Sequence, residues 1–436
     1  MKIEKLYKAR WIVPVCPENI VLENYLLGVN DGRIVLLEEN KGQSIDAVEV
    51  IDLKDHVLMP GLVNAHTHLS MNLLRGLADD LPLMEWLNDY IWPAEGRWVA
   101  KDFVHDGSLA AIAELIRGGS TCFNDMYFYP DVTADVAHQV GIRGLVGMTV
   151  IDFPTSWAKD SDEYFSKCLA VHEHVKAMPL VNTSWAPHAP YTVGDDSMQK
   201  IANHSQQMSN KVNMHIHETQ GEVDEAVAKD GMRPLDRLNK LGLVNERLIA
   251  VHMTALTDDE IQLLAKSGSS IVHCPESNMK LASGVAPVEK LRNAGVNVAV
   301  GTDGAASNND LDMFGEMQSA AMLGKIFGTA EDVPANYVIE MATINGARAL
   351  GLDKEIGSLE VGKSADMIAV DLSAIETQPV YHVISQLVYA ASRNQVSDVW
   401  VAGKALMRDK KLQTIDEKEL VSRLHAWGEK IIKVEE

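Results

Sequence analysis

The chain is poor in cysteine. Its 436 residues include four, Cys16, Cys122, Cys168 and Cys274, widely spaced and with no Cys-x-x-Cys pair. That excludes a disulfide framework and a zinc–thiolate site, and points to free thiols in a reducing cytoplasm. Long apolar runs are also missing. No stretch reaches 18 apolar residues, so no membrane span is expected, and the N-terminus lacks the charged start and apolar core of a signal peptide. Positive charge is scarce: 39 lysines and arginines face 61 acidic residues, a formal net charge of −22. This argues against nucleic acid or an anionic membrane as a partner, because phosphate binding needs a basic surface. There is no repeat of fixed period and no low-complexity segment.

What remains is the composition of an ordinary globular protein, 46% hydrophobic and 23% charged, long enough for a large core and for two or three domains. The first 56 residues read as short strands and turns, with a strand–turn–strand pattern across Asn30-Asp-Gly32, and the last 80 return to that style. The middle alternates apolar strands with helical stretches. Strands are expected to end near Asn64, Asp125, Asp152, His188, His217, His252, Pro275 and Asp303, with helices at 103–117, 131–139, 197–208, 222–240, 258–266 and 287–294. Eight such units indicate an α/β fold, a parallel (β/α)8 barrel, since strands buried on both faces look continuously apolar.

Ligand-capable residues collect at the C-terminal ends of these strands, the face that carries chemistry in barrel enzymes. Val57-Leu-Met-Pro-Gly-Leu-Val-Asn-Ala-His-Thr-His ends with His66 and His68 one residue apart. Strand alternation puts both imidazoles on one face, where they can share a metal ion. Asp303, in Gly301-Thr-Asp, ends the last apolar run, and strand 5 offers His215 and His217, between which spacing alone does not choose. Three imidazoles and a carboxylate suit one zinc, or Fe(II) or Mn(II), and leave a position for a water whose pKa falls to about 7. Glu218, just past strand 5, is placed to move a proton. His252 ends strand 6 on the same mouth. The pattern is neither His-Glu-x-x-His nor the Pro-Cys-x-x-Cys of small zinc nucleobase deaminases.

His66-x-His68, His215, His252 and Asp303, in this order on eight alternating units, resemble the amidohydrolase superfamily over the whole chain, as do Pro60-Gly-Leu-Val-Asn-Ala-His-Thr-His and Gly357-Ser-Leu-Glu-Val-Gly-Lys-Ser-Ala-Asp. Within it the chain resembles the 5-methylthioadenosine/S-adenosylhomocysteine deaminases and their relatives the s-triazine chlorohydrolases. The carrying residues are His68-Leu-Ser-Met-Asn-Leu-Leu-Arg-Gly-Leu-Ala-Asp-Asp, Pro82-Leu-Met-Glu-Trp-Leu, Ile91-Trp-Pro-Ala-Glu95, Ala186-Pro-His188 and Gly301-Thr-Asp-Gly-Ala-Ala-Ser-Asn-Asn-Asp. The resemblance implies a barrel over 57–356 beside a small β-sandwich built from 1–56 and 357–436. It selects His215 over His217 as the ligand with His66, His68 and Asp303 around one zinc per subunit. It implies hydrolytic deamination at purine C6: Asp303 accepts the water's proton, Glu218 protonates the ring, and His252 orients the water and steadies charge. Glu95 would hold the ribose diol and His188 would contact substrate. A homodimer or homotetramer is implied as well.

Relatives that handle a substrate carboxylate are expected to place arginines after strand 3. Here that region offers Trp157 and Lys159 but no arginine, so an apolar wall including Trp157 is expected to favour 5′-methylthioadenosine over S-adenosylhomocysteine. Arg75 and Arg143 are the cations that could still reach the site. Hydantoinase-like chemistry needs a metal-bridging lysine after strand 4, where Trp185-Ala-Pro-His188 has none. Triazine dechlorination has less use for the Glu218/His252 pair, and guanine or cytosine deamination has no use for Glu95. A non-catalytic scaffold would lack ligands that are all present here.

Overall fold

The computed structural model describes residues 2–435. Four strands open the chain, β1 (Ile3–Ile12), β2 (Leu22–Asn30), β3 (Arg33–Glu39) and β4 (Ala47–Pro60). Eight follow in the middle: β5 (Leu62–Thr67), β6 (Ser120–Asp125), β7 (Arg143–Val150), β8 (Val181–Pro187), β9 (Val212–Ile216), β10 (Leu248–His252), β11 (Ser270–His273) and β12 (Asn297–Val300). Late in the chain come β13 (Met367–Asp371), β14 (Val396–Val401), β15 (Lys404–Arg408) and β16 (Lys411–Leu412).

The strands at the two ends of the chain fold as one mixed eight-stranded sheet, ordered β16-β15-β14-β13-β4-β1-β2-β3. The β2–β3 hairpin turns at Asp31 and Gly32, both with positive φ (48° and 73°), as a tight two-residue loop requires. A Cβ on Gly32 would also lie 2.5 Å from the Ala402 carbonyl oxygen, so the turn packs directly on the loop after β14. This sheet has its own core, in which Tyr7 meets Trp400 edge-on at 5.1 Å.

The middle strands form a second, parallel sheet in simple sequence order from β5 to β12. All six residues of β6 and all eight of β7 are buried, as strands covered on both faces must be, including the polar Ser120, Thr121, Asn124, Asp125, Arg143 and Thr149. The sheet closes on itself through a parallel bridge between Thr67 and Asp303, completing the (β/α)8 barrel expected from sequence. Helices cover it outside. The helix expected at 222–240 is two, Gln220–Asp230 and Pro234–Lys240: Gly231 ends the first in a left-handed conformation (φ 69°) and Pro234 starts the second. Ser161–Val175, capped by the Asp160 side chain, and Met313–Ile326, Ala335–Met341 and Ile344–Leu350 after β12 add helices that the apolar pattern did not single out.

The two sheets are continuous in the chain. β4 runs to Pro60 and passes through Gly61 into β5. The final helix, Glu417–Glu435, leaves the outer sheet and lies on the barrel helix Lys101–Arg117, where Trp427 packs edge-on against Phe103 at 5.5 Å and donates to Asp106. At the bottom of the barrel, Arg143 at the start of β7 makes a two-pronged ion pair with Asp366 just before β13, at 2.8 and 3.1 Å. Both are buried, and Ser364 bonds to both. Removing one member of such a pair leaves an uncompensated charge. Arg143→Ala is therefore expected to lower unfolding free energy by about 3–5 kcal/mol in denaturant titrations, without changing the residues at the opposite, C-terminal end of the barrel.

Candidate active site at the mouth of the barrel

The site is assembled where the barrel closes. A Cβ on Gly301 would sit 2.7 Å from the His66 amide nitrogen and 2.8 Å from its carbonyl oxygen, so glycine lets β12 press against β5. The Asp303 N–H then donates to the His66 carbonyl at 3.1 Å. Asp303 and His252 both adopt left-handed backbone conformations, φ 60° and 73°. Such conformations are costly for residues with side chains and are tolerated where the surroundings fix them, characteristically at functional sites.

His66, His68, His215 and Asp303 each bring one ligand atom to a common point, all within 4.8 Å of one another. Nε2 of His215 lies 3.1 Å from Nε2 of His66 and 3.3 Å from that of His68, and Asp303 Oδ1 lies 3.0 Å from His68 Nε2. The far side of each ring explains the convergence. His68 Nδ1 faces the Met126 carbonyl at 2.5 Å and His215 Nδ1 the His188 carbonyl at 2.8 Å. A carbonyl only accepts, so both Nδ1 atoms carry protons and both Nε2 atoms can present lone pairs to the centre. His66 Nδ1 lies 3.3 Å from the Asn213 amide; because Nε2 of His66 is a ligand atom, Nδ1 carries the proton, and the amide, turned about its axis, accepts it through its oxygen. Asp303 Oδ2 is held by hydroxyls of Ser277 (2.7 Å) and Ser307 (2.9 Å), leaving Oδ1 for the centre.

This donor set fits zinc: three imidazole nitrogens and one carboxylate oxygen, with tautomers fixed from behind. The electrostatics ask for a cation at the same point. Burial pushes His66 down to about 4 and His215 well below the usual histidine range, so neither carries charge. Burial also opposes charge on His68, yet the Asp303 carboxylate and Met126 carbonyl raise it to about 9.

His217 is not in this set. β9 ends at Ile216, and His217 has φ 52°, which breaks the strand alternation that would have put it beside His215. Its ring instead accepts from the Leu235 N–H at 3.3 Å. Glu218 and His252 are both buried at the mouth, with His252 Nε2 3.7 Å from Glu218 Oε2 and its ring stacked on His215 at 5.4 Å. Burial raises the Glu218 carboxyl to about 8, and the charge of Asp303 adds to the effect.

A cavity of about 250 Å³ opens over this cluster. Its polar floor is His68, His188, His215, Glu218, His252 and Asp303; Glu95 stands on the wall. The segment 70–100 covers it through Met71, Leu83, Trp86, Leu87, Ile91 and Trp92. Burial raises Glu95 to about 7 against the opposing Tyr127 hydroxyl and His68 charge. His188 Nδ1 lies 3.1 Å from the Thr192 hydroxyl. Phe153, Pro154, Thr155 and Ser156 line the far wall, but Trp157 does not: its ring turns the other way, onto Tyr164 at 5.5 Å, because the chain reverses between Thr155 and Ala158 through a backbone bond of 2.8 Å. Among the described residues, no lysine or arginine lines the cavity. Arg75 is taken by Asn72 and Glu114, and Arg143 by Asp366 at the other end of the barrel.

Sequence reasoning missed Asn213, Ser277, Asn278 and Ser307. Asn213 was within reach, since it shares the face of His215 by strand alternation. Ser277 and Asn278 lie on the short helix Pro275–Lys280, whose position against Asp303 and His252 has no local signal.

A closed barrel with three imidazoles and one carboxylate converging at its mouth is the framework of a metal-dependent hydrolase. The chain belongs to the amidohydrolase family, whose model matches residues 57–406. It is 46% identical over 429 residues to a 5-methylthioadenosine/S-adenosylhomocysteine deaminase of Saccharophagus degradans, covering 98% of this chain and 96% of that protein. It is 42% identical over 377 residues to a 5′-deoxyadenosine deaminase of Methanosphaera stadtmanae, covering 86% and 88%. A solved structure of an adenosine deaminase from Xanthomonas campestris with bound zinc superposes with a TM-score of 0.98 at 50% identity, over 99% of both chains.

Because two serines hold Asp303 from behind, the double substitution Ser277→Ala/Ser307→Ala is expected to weaken zinc binding about 10- to 100-fold in competition with a chelator, with the fold retained.

Proposed function

We propose that this protein is a zinc-dependent aminohydrolase of adenine nucleosides, converting 5′-methylthioadenosine to its inosine analogue and ammonia. The observation that carries this reading is the cavity: the ligand quartet and a buried acid, Glu218, on the floor, a second carboxylate, Glu95, on the wall, and between them an apolar and aromatic lining without a cation. The names of the relatives support the same class of substrate.

His66, His68, His215 and Asp303 would hold the zinc, which when bound would supply the Lewis acidity that lowers the pKa of water toward neutrality. The chain's own residues do the rest. Asp303 takes a proton from the water as its oxygen bonds to C6 of the purine. Glu218, protonated at neutral pH, gives its proton to N1. The C6–N bond then breaks, the departing amine takes the proton held by Asp303, and Glu218 recovers a proton as the C6 hydroxyl becomes a carbonyl. His252 orients the water and steadies charge at the attacked carbon. Glu95 accepts from the two ribose hydroxyls, which a single carboxylate can do. His188 contacts the substrate from the floor.

The 5′ substituent faces a wall of Trp, Phe, Leu and Ile side chains. A methylthio group, or the bare 5′ carbon of 5′-deoxyadenosine, is compatible with that wall, whereas the carboxylate of S-adenosylhomocysteine would find no lysine or arginine there. We divide the chain into the barrel, 57–356, and a β domain from 1–56 and 357–436. No helix among the described residues is long and apolar enough to cross a membrane. Free cysteines and the acidic surface support a cytoplasmic enzyme without nucleic-acid partners, and the family resemblance supports a homodimer or homotetramer.

Ammonia release by zinc-loaded protein is expected to be at least about tenfold more efficient, in kcat/KM, for methylthioadenosine than for S-adenosylhomocysteine. The reverse order would sink the substrate assignment. Glu218→Gln is expected to lower kcat by about 10²- to 10⁴-fold. Since Glu218 acts in its protonated form and its pKa is raised, kcat is expected to fall as pH rises through about 8, a limb absent from the residual activity of Glu218→Gln. A flat profile across that range would remove Glu218 as the acid.

A further inference from the structure

His252 differs from its three neighbours in one respect: neither ring nitrogen belongs to the ligand set. Its Nε2 faces Glu218 Oε2 at 3.7 Å on the cavity side, and its Nδ1 faces the side chain of Asn278. Nδ2 of Asn278 lies 3.0 Å from His252 Nδ1, with both residues about 1% exposed. The asparagine is anchored at both backbone groups. Its N–H donates to the Cys274 carbonyl at 3.0 Å, and its own carbonyl accepts from the Ser283 N–H at 2.9 Å. Its side-chain oxygen is buried without a partner, so the bond to His252 is the one side-chain hydrogen bond that Asn278 makes. A buried amide with half of its capacity unused is expensive for stability alone, and an apolar residue would fill the space at lower cost.

We propose that Asn278 is a positioning residue that sets the tautomer of His252: by donating to Nδ1 it confines the ring proton to Nε2, so that His252 presents an N–H donor, not a lone pair, to the reacting oxygen. The chemistry distinguishes the two histidine–asparagine pairs of the site. His66 must offer an Nε2 lone pair as a ligand, and so needs a proton on Nδ1 and an acceptor from Asn213. His252 is free of that duty, and a lone pair at its Nε2 would repel the oxygen that attacks C6, whereas an N–H there holds it and stabilises the charge that develops on it. A single hydrogen bond from the next helix thus decides whether the ring helps or hinders. The kinetic consequence rests on the deaminase reading of the site; the tautomer itself does not.

The test is ¹⁵N NMR of the zinc-loaded full chain labelled at the histidine rings, with the His252 signals assigned by their loss in His252→Gln. The expected result is a neutral ring with a protonated Nε2 and a hydrogen-bonded, unprotonated Nδ1. Asn278→Asp keeps the shape and replaces the donor by an acceptor, so Nδ1 becomes protonated. Asn278→Leu removes the bond, and the ring signals move to those of exchanging tautomers. With methylthioadenosine both variants are expected to lose about 10- to 100-fold in kcat with KM within roughly twofold, and to keep their zinc. A wild-type His252 that carries its proton on Nδ1 overturns the proposal, as does an Asn278→Leu protein with unchanged ring signals and unchanged kcat. If that variant does not fold, the wild-type and Asn278→Asp spectra still decide. If the wild type turns over no adenine nucleoside, the functional reading fails while the spectra continue to test the tautomer.

Discussion

The hydrogen bond from the Asp303 amide to the His66 carbonyl closes the barrel, and the site follows from that closure. The first and last barrel strands are separated by more than two hundred residues of chain, and each brings part of the same metal site to the seam. An opening of the seam would separate the carboxylate from two of its imidazoles. The close approach depends on Gly301, where a side chain would collide with the His66 backbone. Stability and chemistry are therefore coupled at one position, which is unusual for a barrel whose two ends otherwise divide those tasks.

Around this seam, each side chain that faces the centre is held from behind by a group that has no direct part in binding. Carbonyls of Met126 and His188 hold two rings, Asn213 a third, and two serines the carboxylate. These supports come from different strands and loops, so the geometry is over-determined. That redundancy is what allows Asp303 and His252 to keep left-handed backbone conformations that isolated residues would avoid. The pKa pattern follows from the same burial. Desolvation lowers His66 and His215 and raises Glu218, which produces neutral nitrogens for a metal and an acid for a ring nitrogen from a single physical cause.

The cavity wall is where sequence and structure diverge most. The absence of an arginine after β7 was legible, and so was an apolar wall. The identity of the wall was not. Trp157 packs away from the cavity, while Phe153, Trp86 and Trp92 stand on it. Composition shows that a segment is aromatic; the turn that it makes determines which ring points in. The same limit applies to the break at Gly231-Met-Arg-Pro234, which periodicity read through although both breaking residues were in plain view.

The sequence by itself determined the kinds of ligand, their order along the chain and their placement at strand ends. These are local properties, because alternation and the apolar strand pattern need only a few neighbouring residues. It also determined the barrel, since eight strand-like runs alternating with helical stretches leave few other ways to bury themselves. Tertiary structure decided the rest: that His215 and not His217 faces the centre, that Arg75 and Arg143 are held elsewhere, and that Asn278 reaches His252. Each of these depends on a backbone reversal or on a contact between distant segments, and a contact of that kind exists only after the barrel has closed.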